Sequence, residues 1–486
     1  MTRPVRTLAL RWAVLVVCVG FAFAPTWIRL AEEARSGAVT AYVFVFPVLA
    51  VVAGQGIARR REGELPIHDR QTDLIVGGIG ALLSLAVQAL WLPRYSDQYA
   101  LLHIDVAAVV LFTLSGAIML FGLRPVGRFW PILLLAFAMS PVLYRLVAVS
   151  MGGSRFAYGM VLVLVAGVAG AIAVGRTRGR AALGFLTTVA VGAAVLRLLL
   201  FLDPTIDIVA LQLIPTVGAA ASTGTLFYFL ARRGRSKRVL GRPVGAPSVK
   251  TTRSAVVTLV VVAVALVTRP LPAPPPPVDT VGPSGAVAAA LAVPTGWRLI
   301  DDESYPWVRS YFGQSASLVR QELQAAVATP EWDVRGRPRT VVVDTLTTTN
   351  AATLAVYPER TLYRLASTRT STALPVELGH GVTASLYTSV DDTLLLTWTK
   401  LVFDWVRDGV FQRITAISVD NHEPGAEFPE PTPSMASNLS AVFAVFLRGN
   451  TIVGDDDPDF DDRGLLASVG ASLVDAQFPA GAEDPR

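Results

Sequence analysis

Nine apolar segments occupy the first 271 residues of this 486-residue chain, and they constrain its fold more than any other feature. Most contain about 20 residues, the length at which an α-helix crosses about 30 Å of hydrocarbon while bonding its own backbone groups. The segments are Leu8–Leu30, Val39–Ala58, Leu74–Leu92, Leu101–Leu123, Phe129–Val149, Phe156–Val174, Ala181–Leu202, Ile208–Leu230 and Ala255–Leu271. The sequence therefore predicts a polytopic α-helical membrane protein with about nine spans.

The basic residues between the segments predict the orientation of the chain. With the N-terminus inside, the cytoplasmic connections carry 20 Lys and Arg residues and the outward connections carry 5. Such an excess marks the cytoplasmic side. An odd number of spans then places everything beyond about residue 272 outside the cytoplasm. The frequent Arg, Ala and Val suggest a bacterium, and we expect a multi-pass protein of its plasma membrane.

The net charge of +5 conceals two opposite halves. Residues 1–271 carry +17 and residues 272–486 carry −12. The basic balance is thus a topology signal, and we expect membrane lipids and no nucleic acid as partners. Cys18 is the one cysteine in the sequence, which excludes an intramolecular disulfide and the zinc and redox motifs that need several thiols.

The composition along the chain predicts six regions. They are a membrane domain of eight spans (1–231), a basic cytoplasmic linker (232–253), the ninth span (254–271), a Pro-rich spacer (272–292), an extracytoplasmic α+β domain (293–450) and an acidic tail predicted to be disordered (451–486). The first segment can also be interpreted as a cleaved signal peptide, because Ala22-Phe23-Ala24 resembles a cleavage site. Its apolar stretch continues to Leu30, which favours an uncleaved span.

Periodicity in the outer domain predicts a helix, several strands and a second helix. The helices are Gln314–Ala328 and Ser434–Leu447, and the strands are Thr340–Leu346, Thr353–Val356, Val382–Tyr387, Leu394–Val406 and Phe411–Val419. Asp408-Gly409, between the last two strands, is a hairpin turn signal.

Polar residues inside the spans are the best candidates for a site, because burying them in hydrocarbon is costly. Arg145, Arg197, His103 and Asp105 all fall toward the outer ends of their segments. They can converge on one outward-facing site that binds a substrate or partner. The alternative is that each arginine extends its charge to the lipid headgroups and that His103 and Asp105 are ordinary interfacial residues.

The outer domain offers no comparable constellation. His380 and His422, with nearby Asp and Glu residues, lack the spacing of a zinc enzyme, and each lies beside a predicted turn. The sequence contains no phosphate-binding loop, dinucleotide fingerprint or nucleophile elbow. We therefore expect neither a metal nor a cofactor.

Three stretches of the membrane domain resemble the exosortase/archaeosortase family, polytopic membrane proteins that process the C-terminal sorting signals of exported proteins. Tyr42–Pro47, followed by three arginines from Arg59, is similar to the second span of the family. Gly122–Pro141 is similar to its central Gly–basic–Pro stretch, and Ala194–Arg197 resembles the segment that supplies a functional arginine. The resemblance implies a sorting or export function and an associated C-terminal domain.

The chain departs from the family at the nucleophile. A cysteine is expected before the functional arginine, but the nearest counterpart here is Met151–Arg155, which contains Ser154 instead. A serine needs an activating base, whereas a thiolate forms readily. Ser154 and Arg197 are the candidate catalytic residues if the chain is an enzyme.

These features lead to three hypotheses. The first is a non-catalytic, exosortase-like protein that acts in protein sorting, export or cell-envelope biogenesis, with exported proteins or other envelope proteins as partners. The second is an active transpeptidase or protease with a non-cysteine nucleophile. The third is a transporter or envelope-polymer protein unrelated to that family.

Overall fold

A computed structural model of the chain describes residues 3–58, 70–138, 140–232, 252–274, 278, 280, 282–283, 288–363, 368–392, 394–420, 422, 427–433, 454–455 and 457–478. The chain divides into two compact units, which we call the helical unit (Met1–Pro274) and the sheet domain (Pro275–Arg486).

The helical unit contains fourteen α-helices within its described residues, several of them short. They are α1 (Arg3–Ala22), α2 (Ala24–Arg35), α3 (Val45–Ala58), α4 (Arg70–Ala86), α5 (Leu92–Arg94), α6 (Tyr99–Leu102), α7 (Ile104–Phe121), α8 (Leu123–Gly127), α9 (Trp130–Ala138), α10 (Pro141–Ser150), α11 (Arg155–Val174), α12 (Arg178–Leu202), α13 (Ile208–Arg232) and α14 (Thr252–Val267). A 3₁₀-helix (Val39–Phe44) precedes α3, and a π-helical turn (Val87–Trp91) extends α4.

Six helical stretches among the described residues are long and apolar enough to cross a membrane, or eight if each of two bent pairs is one span. Helix α14 is apolar but shorter. Together these helices lie in all nine predicted segments, and their length and apolar composition are consistent with a membrane helical part. The crossing number of nine stays a prediction.

Two predicted spans are broken rather than continuous. Helices α1 and α2 meet at an angle of 69°, and Pro25 lies in the first turn of α2. Pro141 likewise opens α10, which is bent away from α9. Proline has no N–H to donate to the preceding turn, so each helix restarts in a new direction.

The helices pack around two buried apolar clusters. Leu49 of α3 and Leu162 of α11 belong to the first, which also receives α13. Leu15 of α1, Phe112 of α7 and Leu259 of α14 belong to the second. Helix α14 therefore packs among the other spans. Many apolar side chains lie outside both clusters and are exposed, as a lipid-facing surface requires.

The sheet domain contains one antiparallel sheet in its described residues. Its strands are β1 (Trp297–Ser304), β2 (Ser317–Ala325), β3 (Thr340–Thr348), β4 (Arg369–Thr370), β5 (Leu374–Glu377), β6 (Thr383–Asp391), β7 (Leu396–Arg407) and β8 (Val410–Val419). Their order is β1-β2-β3-β8-β7-β6-β4, with β5 paired to β6. The helices are α15 (Arg309–Phe312), α16 (Ala351–Val356) and α17 (Arg463–Gln477).

The two faces of the sheet differ in chemistry. Alternate residues of β7, such as Leu401 and Phe403, join a core with Leu466 and Val469 of α17. The opposite face carries charged residues, among them the buried Lys400 of β7. This alternation is the period of a strand with each face in a different environment.

Four strand predictions are confirmed, and three other predictions about the sheet domain are wrong. Asp408 and Gly409 have φ values of 49° and 75°, as a two-residue hairpin between β7 and β8 requires. Residues predicted as the helix Gln314–Ala328 form β2 instead, because the inward-facing Gln321 hides the alternation of apolar residues. Residues predicted as the strand Thr353–Val356 lie in α16, whose first turn Asn350 caps.

The third wrong prediction is the disordered acidic tail. Residues 463–477 form α17, whose apolar side chains are buried at helical spacing beyond the run of aspartates. The domain also begins before residue 293, because Thr280 and Gly282 exchange backbone hydrogen bonds with Val406. The predicted helix Ser434–Leu447 and nearly all of the basic linker lie outside the described residues.

Candidate functional site

The break between α6 and α7 places two of the predicted site residues. His103 joins the helices with φ 41° and ψ 56°, a left-handed conformation that is uncommon for a residue other than glycine. Its N–H donates to the Tyr99 carbonyl at 2.9 Å, and its own carbonyl accepts from the Val106 N–H at 3.0 Å. Asp105 then lies in the first turn of α7, where a negative charge is favourable.

His103 lies between two carboxylates. Its Nε2 is 3.2 Å from Oε2 of Glu33, and its Nδ1 is 3.7 Å from Oδ1 of Asp105. The Tyr99 hydroxyl donates to Oδ2 of Asp105 at 2.9 Å. His103 and Asp105 are fully buried, whereas the Glu33 side chain is 20% exposed. Glu33 is therefore the most accessible of the three side chains of this ion-pair group.

Arg145 contacts the same break from α10. Its Nη1 donates to the carbonyls of Ala100 at 2.5 Å and Leu101 at 3.0 Å, two residues of α6. The side chain is only 1% exposed. Its Nε and Nη2 are buried and make no hydrogen bond with any described residue. We call Glu33, Tyr99, His103, Asp105 and Arg145 the polar cluster.

A layer of aromatic and amide side chains adjoins Arg145. The rings of Tyr42 and Tyr144 are 4.0 Å apart, and Tyr144 directly precedes Arg145 on α10. Gln212 donates to the Tyr144 hydroxyl at 2.9 Å and to the Val39 carbonyl at 2.9 Å. These residues were not among the candidates predicted from the sequence. A tyrosine or glutamine inside an apolar span could have been selected by the same criterion as Arg145, because it is also a polar side chain in hydrocarbon.

Arg197 lies apart from this arrangement. It is exposed on α12, whereas the preceding Leu196 is buried against Gly159 of α11. One residue along a helix turns the side chain by about 100°, so burial of Leu196 directs Arg197 away from α11. The structure thus brings together His103, Asp105 and Arg145 but not Arg197.

Ser154, the candidate nucleophile, and Cys18, the one thiol of the sequence, both occupy structural positions. Ser154 is the N-cap of α11, and its hydroxyl accepts a hydrogen bond from the Ala157 N–H at 3.1 Å. Cys18 is buried in the apolar cluster of Leu15 and Phe112. Among the described residues, no His or Lys side chain forms a hydrogen bond with Ser154 that could activate it.

The charged face of the sheet domain contains a second, denser polar network. Nε and Nη2 of Arg320 bind the two carboxylate oxygens of Asp344 at 2.8 and 2.7 Å. Arg413 binds Asp404 in the same manner, at 2.9 and 2.8 Å. Lys400, fully buried, is 3.2 Å from Glu359. Burial opposes the charge of Arg320, yet the bond to Asp344 raises the pKa of its guanidinium.

The histidines of the sheet domain contact charged side chains. His422 contacts Arg339, which holds Asp462 through two hydrogen bonds, and His380 is 3.1 Å from Asp475. Burial, followed by the charge of Arg339, lowers the pKa of His422. No group of three potential metal ligands converges within the part of the chain that the structure describes.

Comparison with protein-family models, curated proteins and solved structures gives no match to this chain. The function is therefore inferred from the residues and their geometry.

Proposed function

We propose that the chain is an exosortase-like, non-catalytic membrane protein that acts in protein sorting, export or cell-envelope biogenesis. The polar cluster recognises an anionic group of an exported or envelope protein, and the sheet domain lies on the same side of the membrane. The proposal includes nine spans in a bacterial plasma membrane, a cytoplasmic N-terminus and an extracytoplasmic sheet domain, as the 20 to 5 distribution of basic residues predicts.

One observation supports the proposal above all others: Arg145 is buried against α6, just before the break at His103, and forms no ion pair with a carboxylate of the described residues. Burying a charged side chain in a membrane protein costs about 2.5–3.5 kcal/mol or more. The two carbonyls that Nη1 contacts offset only part of this cost, because a hydrogen bond to a neutral acceptor is weaker than one to an anion. An anionic partner would supply the rest.

A non-catalytic role agrees with the positions of the candidate nucleophiles. The Ser154 hydroxyl accepts a helix-capping hydrogen bond, which accounts for a serine at this position without chemistry. Cys18 lies among apolar side chains, where a thiolate is disfavoured.

The proposal is tested by photocrosslinking in cells. A photoreactive residue at the exposed Glu32, next to Glu33 of the polar cluster, should capture an envelope protein. The adduct should disappear in Arg145→Gln and persist in Arg197→Gln, a matched control that removes an exposed arginine from another span. It should also persist in Ser154→Ala. Identical adducts in all backgrounds would refute recognition by Arg145, and loss in Ser154→Ala alone would favour an enzyme.

A further inference from the structure

Two arginines of the sheet domain bind a carboxylate through the same edge of the guanidinium group, the edge formed by Nε and Nη2. In both Arg320 and Arg413, Nε and Nη2 bind the two oxygens of one aspartate, at distances between 2.7 and 2.9 Å. These two nitrogens present parallel N–H groups, and a planar carboxylate accepts both at once. Both pairs are largely buried.

In Arg145 the same two nitrogens are the ones without a partner. Nη1 is engaged by the carbonyls of Ala100 and Leu101, which fixes the plane of the guanidinium. Nε and Nη2 are buried and make no hydrogen bond with a described residue. Arg145 is therefore held in place by Nη1, and the edge that binds a carboxylate in Arg320 and Arg413 has no partner among the described residues.

We propose that the Nε–Nη2 edge of Arg145 binds a single carboxylate group of a ligand through two parallel hydrogen bonds. This inference rests on the proposed function, because it specifies the anionic group that the polar cluster recognises. No carboxylate of the described helices takes this position, since Asp105 is held by Tyr99 and both Asp105 and Glu33 adjoin His103.

Neighbouring charges and polar atoms favour a carboxylate over a phosphate. Glu33 and Asp105 already place two acidic side chains in the polar cluster, so a doubly charged phosphate is repelled more strongly than a singly charged carboxylate. The Tyr42 hydroxyl and Oε1 of Gln212 are also buried without a hydrogen-bond partner among the described residues. They offer a further donor and an acceptor for a ligand that carries an N–H beside its carboxylate, as the C-terminal residue of a peptide does.

Access to this edge requires movement, because Arg145 is 1% exposed. Helix α10 begins at Pro141, where the chain is bent away from α9. Entry of the ligand therefore requires that the side chains covering the Nε–Nη2 edge shift while the Nη1 bonds to the α6 carbonyls are kept.

The test measures thermal unfolding of the full chain in lipid nanodiscs with two matched probes, N-acetyl-alanine and its uncharged amide, at constant ionic strength. The carboxylate should raise the Tm in a saturable manner and the amide should not, because a ligand that binds the folded state stabilises it. In Arg145→Lys the half-saturating concentration should rise at least about tenfold, since Lys keeps the charge but lacks the two parallel donors. Arg197→Lys should behave as the wild type.

Equal effects of acid and amide, or no acid-specific shift in the wild type, would overturn the inference. So would an unchanged half-saturating concentration in Arg145→Lys. The Tm of that variant without ligand shows whether it is folded. If the probes fail while the crosslinked adduct still depends on Arg145, the proposed function stands and the carboxylate assignment alone is withdrawn.

Discussion

At the scale of single residues, neighbours decide whether a buried charge is part of a site or part of the scaffold. Arg320 and Arg413 are each matched by an aspartate, so their charges are accounted for within the fold. Arg145 is matched by two carbonyl groups only, and His103 faces two carboxylates. Buried pairs with good geometry are neutral or modest in stability, whereas an incompletely matched buried charge is costly. A buried charge that is incompletely matched, such as that of Arg145, is therefore expected where it binds a ligand.

His422 provides a pH-dependent prediction for the sheet domain. Burial and the charge of Arg339 lower its pKa below 6.5, while Asp333 and Asp462 oppose this effect. A lowered histidine pKa means that the unfolded chain binds the proton more readily. Stability is therefore complete above about pH 6.5 and is lost as the pH falls toward the folded-state pKa.

His422→Gln should remove this part of the pH dependence. Chemical unfolding of both proteins, followed by circular dichroism in the same detergent, should show a wild-type curve that falls more steeply below about pH 6.5 than the variant curve. Parallel curves would contradict the lowered pKa.

At the scale of elements, the sequence predicted the apolar spans and four of the strands, and it missed elements whose apolar pattern is interrupted by a buried polar residue or preceded by a run of aspartates. A span is apolar all round, so each of the nine segments could be located from composition alone. In β2, Gln321 faces the core and binds both backbone groups of Leu291, which obscures the period of two. In the tail, the run of aspartates before residue 463 predicted disorder and obscured the helical spacing of the leucines and valines that α17 buries. Pro141 marks a helix break in the sequence, as Pro25 does, but the bend angle at each proline depends on the packing on either side.

Helix α17 provides the prediction at this scale. Leu466 is fully buried against the sheet, so Leu466→Ala should lower the free energy of unfolding by about 2–5 kcal/mol through lost burial and a residual cavity. Ser468→Ala changes an exposed residue of the same helix and should stay within about 0.5 kcal/mol of the wild type. Urea unfolding of the full chain measures both. Equal stability of the two variants would mean that the tail does not contribute to the core.

At the scale of the whole molecule, the sequence established the division into a helical unit and a sheet domain, and it selected the candidate residues by one criterion, an ionisable group inside a span. That criterion found His103, Asp105 and Arg145, which the structure brings together around the α6–α7 break. It also selected Arg197, whose exposure depends on the rotation of α12 and hence on the burial of Leu196. Glu33 was missed because it follows the apolar part of the first segment and reaches His103 only through the bend between α1 and α2.

The proposed topology, in which the polar cluster and the sheet domain face the extracytoplasmic side, is tested by thiol labelling of intact cells. In a Cys18→Ala background, single cysteines are placed at three exposed positions: Ser36 near Glu33, Ser304 in the sheet domain and Gly179 in the first turn of α12. An added side chain at Gly179 meets no atom within 4 Å. A membrane-impermeant reagent should label Ser36→Cys and Ser304→Cys in intact protoplasts, and Gly179→Cys only after permeabilisation. Labelling of Gly179→Cys in intact protoplasts, with Ser36→Cys or Ser304→Cys protected, would contradict the account.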